Sequence, residues 1–235
     1  MRPTVYNITK KDIINLSCFF CFDLDGLLAS AFSNLPLALK RHCIQVGTVT
    51  SMMVQYAPAG AVPAGLTRSE YANAVRYGGF YHDIGAYLVY NQRRLYPDAG
   101  ERFLREQISE RGLSTTARKV LLETVHHCGE RHNGSGFPSR MAGEQIPLHA
   151  ALCAIANEVD EIASQRPKLF SDPLGDAKKF VAENAGTRFS PAAAECFMKA
   201  APQISAMYKS WRKIPPLWNN RDLRPLSKPI EKVIG

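Results

Sequence analysis

Apolar and polar positions follow a helical period along almost the whole chain. After a polar lead-in over residues 1–10, apolar runs at Ile13–Phe22 and Leu24–Phe32 predict a first helix pair. Asn34 ahead of Leu35-Pro36 reads as the cap of a helix from Leu37 to about Tyr56, with Leu39, Cys43, Val46 and Met53 on its apolar side. The prolines and glycines of 58–65 make a loop, and Thr67-Arg68-Ser69-Glu70 has capping-box spacing. The next helix runs through Tyr71, Val75, Tyr77 and Phe80 into His82-Asp83, where Gly85 is free to take the left-handed conformation that stops it. A Tyr96-Pro97 break precedes a helix from about Asp98 to Glu110, and Ser114 caps another that carries Val120, Leu121 and Val125 to His126-His127. Asn133–Pro138 reads as an ordered loop. Pro147 then starts a helix with the apolar face Leu148, Leu152, Ile155, Val159 and Ile162. Two further helices are predicted, at about Leu174–Asn184 and at Ser190–Tyr208 with Ser190 as cap and Pro191 in the first turn.

No stretch has the alternation of a strand, and no segment repeats. The expectation is an all-α helical bundle over residues 35–208, with a helical extension over 1–34 and a Pro-rich, basic tail over 209–235. A chain of 235 residues with 46% hydrophobic and 21% charged positions can bury a sizeable core. It has no apolar run near the roughly 20 residues that span a bilayer, and no small-residue cleavage site follows the N-terminus, so a cytoplasmic protein without a membrane segment is expected. The six cysteines are scattered, and buried helix cysteines are a better reading of them than disulfides or half a zinc site at Cys18 and Cys21. The net charge of +8 favours an anionic ligand. Apart from Arg93-Arg94 and the tail the cations are dispersed, which suits a nucleotide or phosphodiester better than a nucleic-acid groove.

The chemistry gathers in two islands. His82 and Asp83 are adjacent near a helix end, so one can hold a metal while the other reaches toward a second. Downstream comes His126-His127-Cys128-Gly129-Glu130-Arg131-His132-Asn133-Gly134-Ser135-Gly136-Phe137-Pro138, followed by a helix carrying Asn157, Asp160, Glu161 and Ser164 on its polar side. Solvation alone accounts for such a polar face, and a hydrogen-bonded structural role accounts for a lone His42 inside a helix.

These two islands, with Gly143–Pro147 and Ile155-Ala156-Asn157, resemble the HD-GYP branch of the HD phosphohydrolases over roughly residues 35–168. That family comprises helical bacterial proteins that hydrolyse the second messenger cyclic di-GMP to a linear product at a centre of two or three iron ions, or manganese. The resemblance implies an HD-domain bundle for signalling, with His42 and His82 as metal ligands and Asp83 as a carboxylate bridging two metals. His126 and His127 would serve the second metal if two residues are inserted ahead of Gly134; counted without a gap, Cys128-Gly129 fall there instead. Asn157 takes the place of the closing Asp ligand. By the same resemblance Asp83, Arg131 and Arg166 would carry the catalytic roles, with Arg131, Arg166, Asn133, Gly134 and Gly136 contacting the substrate.

The chain departs from the family pattern at Asn157, at Tyr96 where a His is usual, at Ala86 where a Lys is usual, and at Phe137, Asn133 and Ala38. The resemblance therefore implies one or two divalent ions, iron or manganese, rather than three. It implies a metal-dependent phosphodiesterase for cyclic di-GMP or a related nucleotide. The alternative is a catalytically impaired module that binds a nucleotide or a protein partner through the same cleft.

Overall fold

In the computed structural model, residues 34–89, 92–108, 113–165 and 172–212 are described. The expected N-terminal helix pair, the C-terminal tail and Arg166 lie outside these residues. Seven α-helices are present among them: α1 (Leu37–Val54), α2 (Arg68–Tyr81), α3 (Tyr96–Gln107), α4 (Thr115–His127), α5 (Leu148–Gln165), α6 (Gly175–Glu183) and α7 (Pro191–Arg212). Single 3-10 turns sit at Ala59–Ala61, Ile84–Tyr87, Arg93–Leu95 and Gly143–Gln145. The described residues hold isolated bridges and no strand ladder, so the all-α expectation stands. No helix among them is long and apolar enough to cross a membrane.

Local chemistry accounts for most helix ends. Thr67 closes its capping box, accepting from the Glu70 amide while Glu70 Oε2 takes the Thr67 amide at 2.8 Å. Ser114 caps α4 through the Ala117 amide at 3.2 Å. Four ends differ from expectation. Pro36, not Asn34, occupies the cap position of α1, and no side chain caps it. The same helix stops at Val54 because the amides of Gln55, Tyr56 and Ala57 bond three residues back, and Arg68 Nη1 donates to the Val54 and Ala57 carbonyls at 2.9 Å each. Pro97 is not a break: it lies in the first turn of α3, where its missing N–H costs nothing.

The end of α2 matters most. Gly85 does not adopt the left-handed conformation; the backbone continues through Asp83 (φ −107°, ψ 14°) into the Ile84–Tyr87 turn. Glycine is required there by contact, since a Cβ would lie 2.2 Å from the Tyr96 carbonyl oxygen. Thus the residues after Asp83 are pinned to the start of α3.

The core has two parts. The larger joins α1, α2, α4, α5, α6 and α7, with Leu152, Ile155, Val159, Phe197 and Ile204 fully buried. The smaller, with Cys43, Phe80, Tyr81, Ile84, Leu104 and Leu121, lies under the α1–α2 end nearest α3. Cys43, Cys128, Cys153 and Cys196 are free and buried, as expected for helix cysteines.

Helices α1 and α2 run antiparallel and touch backbone to backbone. A Cβ on Gly79 would meet the Gly47 Cα at 2.7 Å, and one on Gly47 would meet the Arg76 carbonyl oxygen at 2.6 Å. Gly79→Ala therefore sets a helix-propensity gain of about 1 kcal/mol against overpacking at the upper end of a range of roughly 1–3 kcal/mol. The expected result is a net loss of about 2 kcal/mol, read as a lower urea midpoint at unchanged slope; a raised midpoint would show that the two backbones do not touch.

Candidate functional site

The α1–α2 crossing brings His42 and His82 together, with ring centroids 5.1 Å apart. With Asp83 they form a group whose ligand atoms all lie within 4.8 Å of one another, the only group of three or more such residues among those described. His82 is buried, and its Nδ1 lies 2.8 Å from the Gly79 carbonyl oxygen. A carbonyl only accepts, so Nδ1 carries the proton and Nε2 keeps its lone pair. That Nε2 has no hydrogen-bond partner and sits 3.4 Å from Asp83 Oδ2. Burial, and then the neighbouring His42, depress the pKa of His82 against the pull of Asp83, which keeps the ring neutral.

His42 is oriented in the same way from a different element. Its Nδ1 lies 2.8 Å from Asp160 Oδ2 on α5, leaving Nε2 toward the group. Burial works against its charged form, but the hydrogen bond to Asp160 and the charges of Asp160, Asp83 and Glu161 outweigh it and raise the pKa. An imidazole fixed through its other nitrogen by a carboxylate or carbonyl is the usual support of a metal ligand. Two imidazole nitrogens and a carboxylate suit a borderline or hard divalent cation.

Sequence reasoning missed the role of Asp160. It is 1% exposed, so the polar side of α5 is not merely solvated. Its Oδ1 accepts from Tyr208 on α7 at 2.5 Å and from Ser164 at 3.5 Å. The available signal was the three-residue step from Asn157 to Asp160, which puts both on one side of the helix. Asn157 carries a buried Oδ1 with no partner.

His126 and His127 do not join the group. They close α4 with their rings 4.6 Å apart. His126 Nδ1 is 3.5 Å from Asp98 on α3. Burial and the adjacent His126 lower the pKa of His127, with Glu123 opposing. Glu123 in turn lies 3.3 Å from His149 Nε2 on α5. The doubled His thus sits among its own carboxylates.

The loop after α4 is ordered, as its composition predicted, and Glu130 is the reason. Its buried carboxylate accepts from the Ser139 amide at 2.6 Å and the Met141 amide at 3.1 Å. Asn133 Oδ1 takes the Ser135 amide at 3.1 Å, Gly134 turns with φ +78°, and a Cβ on Gly136 would lie 2.3 Å from the Arg131 amide nitrogen. The turn before α7 grips the other side, with the His132 and Asn133 amides donating to the Arg188 and Thr187 carbonyls. Arg131 is half-buried, and its charge reaches Glu158, the residue after Asn157. Burial pushes the Glu158 carboxyl up against the opposing pull of Arg188, which is hydrogen-bonded to it, and of Arg131. Arg131, Asn133, Gly134 and Gly136 therefore share one braced loop beside α5.

A family model for the HD domain matches residues 72–193, more than half of the chain. The matched span includes His82, Asp83 and Asp160 but not His42 or Tyr208. A cyclic di-GMP phosphodiesterase of Thermotoga maritima is 24% identical over 201 residues, covering 81% of this chain and 52% of the relative. A Vibrio cholerae 3'3'-cGAMP-specific phosphodiesterase is 25% identical over 190 residues, covering 75% of this chain and 35% of that protein. A cyclic di-GMP phosphodiesterase of the same organism is 31% identical over 103 residues, covering 43% and 20%. The chain thus spans about half the length of the first relative and less of the other two.

Replacing Glu130 by Ala leaves two backbone amides without their charged acceptor, and each such bond is worth about 1.5–3 kcal/mol. Hydrogen exchange at Ser139 and Met141 should accelerate by at least tenfold while amides in the middle of α5 keep their protection; unchanged protection at both would mean that Glu130 does not hold the loop.

Proposed function

The chain belongs to the HD-domain family, and from that membership and the His42–His82–Asp83 group we propose that it is a metal-dependent phosphohydrolase acting on a cyclic dinucleotide. The observation that carries the reading is the pair of oriented imidazoles, His82 buried and His42 half-buried. Each ring is held through Nδ1 on a separate acceptor, and each leaves Nε2 toward one carboxylate. Hydrogen bonding alone gives no reason to orphan a buried His82 Nε2, whereas a divalent ion does. The relatives named as phosphodiesterases of cyclic di-GMP and 3'3'-cGAMP support a cyclic dinucleotide as the substrate class.

In this reading His42, His82 and Asp83 hold the ion, iron or manganese, with Asn157 as a neutral fourth donor. A divalent ion there supplies Lewis acidity toward a phosphodiester and acidifies the attacking water. Asp160 keeps the His42 proton on Nδ1 and so keeps Nε2 a donor toward the ion. Arg131, on its braced loop, offsets phosphate charge as the phosphorus–oxygen bond breaks. Arg166 is assigned the same role from the resemblance. The product is the linear dinucleotide.

Binding without turnover is the second reading. Two observations favour it: Asn157 stands where a carboxylate would close the ligand set, and His126 and His127 lie outside the group. One ion is accommodated more readily than two.

The deciding experiment is hydrolysis of cyclic di-GMP and 3'3'-cGAMP by protein loaded anaerobically with iron or manganese, with the His82→Ala, Asp83→Ala double variant as control. Linear product from the wild type alone is expected. Binding of metal and nucleotide with no product would establish the second reading. Asp160→Asn should weaken manganese binding by about 10–100-fold in a direct titration; unaltered affinity would remove Asp160 from the support of the site.

A further inference from the structure

Glu161, the residue after the buried Asp160, holds a cation that no step above has used. Arg93 Nη2 donates to Glu161 Oε1 at 3.0 Å. The position of Arg93 is set from both sides of the ligand group. It opens the Arg93–Leu95 turn, which runs directly into Tyr96, and Tyr96 packs its backbone against Gly85, two residues after Asp83. Its partner Glu161 belongs to the helix whose Asp160 holds His42. The charge of Arg93 accordingly senses Asp83 as well as Glu161.

The Arg93 side chain is 69% exposed and Glu161 is 38% exposed. An ion pair this open contributes little to stability, so its partner exchanges cheaply. A guanidinium has five N–H donors in a planar fork, and Glu161 takes one of them. The remaining donors suit the paired oxygens of a phosphodiester. A cyclic dinucleotide carries two phosphates. In the proposed reading the phosphate undergoing attack meets the His42–His82–Asp83 group, and the other must be met away from it.

We infer that Arg93 binds the non-reacting phosphate of the substrate, and that Glu161 parks the guanidinium at the rim until that phosphate arrives. The inference rests on the reading of the substrate as a cyclic dinucleotide. Glu161 is a positioning residue that also competes with the phosphate for the same cation.

A purely structural Arg93–Glu161 bridge and a phosphate receptor give opposite results for one variant. The test uses the full chain loaded with manganese and the slowly hydrolysed bis-phosphorothioate analogue of cyclic di-GMP, with binding followed by calorimetry. Arg93→Ala should weaken binding by about tenfold or more, and Arg93→Lys should recover part of the loss. Glu161→Gln should tighten binding by roughly two- to fivefold, because the competing charge is gone. In steady-state turnover of cyclic di-GMP, Arg93→Ala should raise KM far more than it lowers kcat. Equal affinity of wild type and Arg93→Ala overturns the inference, as does weakening by Glu161→Gln to match Arg93→Ala. Wild type that fails to bind the analogue overturns the substrate reading itself and the inference with it. Melting temperatures within a few degrees of wild type, expected for two exposed side chains, separate lost contact from lost fold.

Discussion

The backbone contact between α1 and α2 is the constraint on which the site depends. Helices ordinarily pack 8–10 Å apart, and the Gly47–Gly79 contact removes the side chains that enforce that spacing. Because the helices are antiparallel, moving back five residues from Gly47 and forward three from Gly79 leads in the same direction, at about 1.5 Å per residue. His42 and His82 therefore arrive at the same end with their rings in contact. Asp83 follows as the first residue beyond the C-cap of α2. The chain cannot drift away after it, because Gly85 lies flat against the start of α3. Two imidazoles and a carboxylate from segments some forty residues apart in sequence thus depend on three positions where a methyl group would not fit.

The second dependence is electrostatic. Asp160 is a nearly inaccessible carboxylate between α1, α5 and α7. Withdrawing such a charge from water costs several kcal/mol, and three donors offset it: His42 Nδ1, the Tyr208 hydroxyl and Ser164 Oγ. Burial, and then the charge of Asp160, push the Tyr208 pKa well up, so the phenol stays protonated as a donor. The carboxylate thereby orients the His42 imidazole and links α7 to the candidate site. Tyr208, like His42, lies outside the span matched by the family model, and the hydrogen bonds of Asp160 tie both to it.

Residues near in sequence were legible from sequence. The capping box at Thr67 and Glu70, the Ser114 cap, the apolar face of α5 and the ordered Asn133–Pro138 loop each follow from a local rule, and each is present. His42, a lone histidine on its helix, gained meaning only from the family resemblance, because its partners lie 40 and 118 positions away. The left-handed Gly85 was wrong for a related reason. A glycine after a helix ordinarily signals a cap, but this one answers to Tyr96, which no local pattern reveals. The polar side of α5 hid a buried acid because periodicity separates faces without saying what packs on the polar one. His126 and His127 look like a ligand pair in one dimension; at the end of α4 their charged neighbours are Asp98 and Glu123, residues that no local pattern links to them.

In the proposed reading, the shortage of anionic ligands has a functional consequence. Two neutral imidazoles, one carboxylate and a neutral amide leave a divalent ion with half of its charge uncompensated, and hard cations bind such a set weakly. The same deficit makes the site attractive to an anion. A phosphodiester entering the cleft brings the negative charge that Asn157 fails to supply, so nucleotide and metal each raise the other's affinity. Thermodynamic linkage requires that factor to be identical in both directions. In that reading the substrate phosphate completes a ligand set that the protein alone leaves short of charge. Arg93 bears on the balance, since a second cation at the rim lets the phosphate that does not meet the metal contribute its binding energy as well. The protein then senses metal and nucleotide together, a property shared by the hydrolytic and the binding-only readings, and turnover is the single point on which they differ.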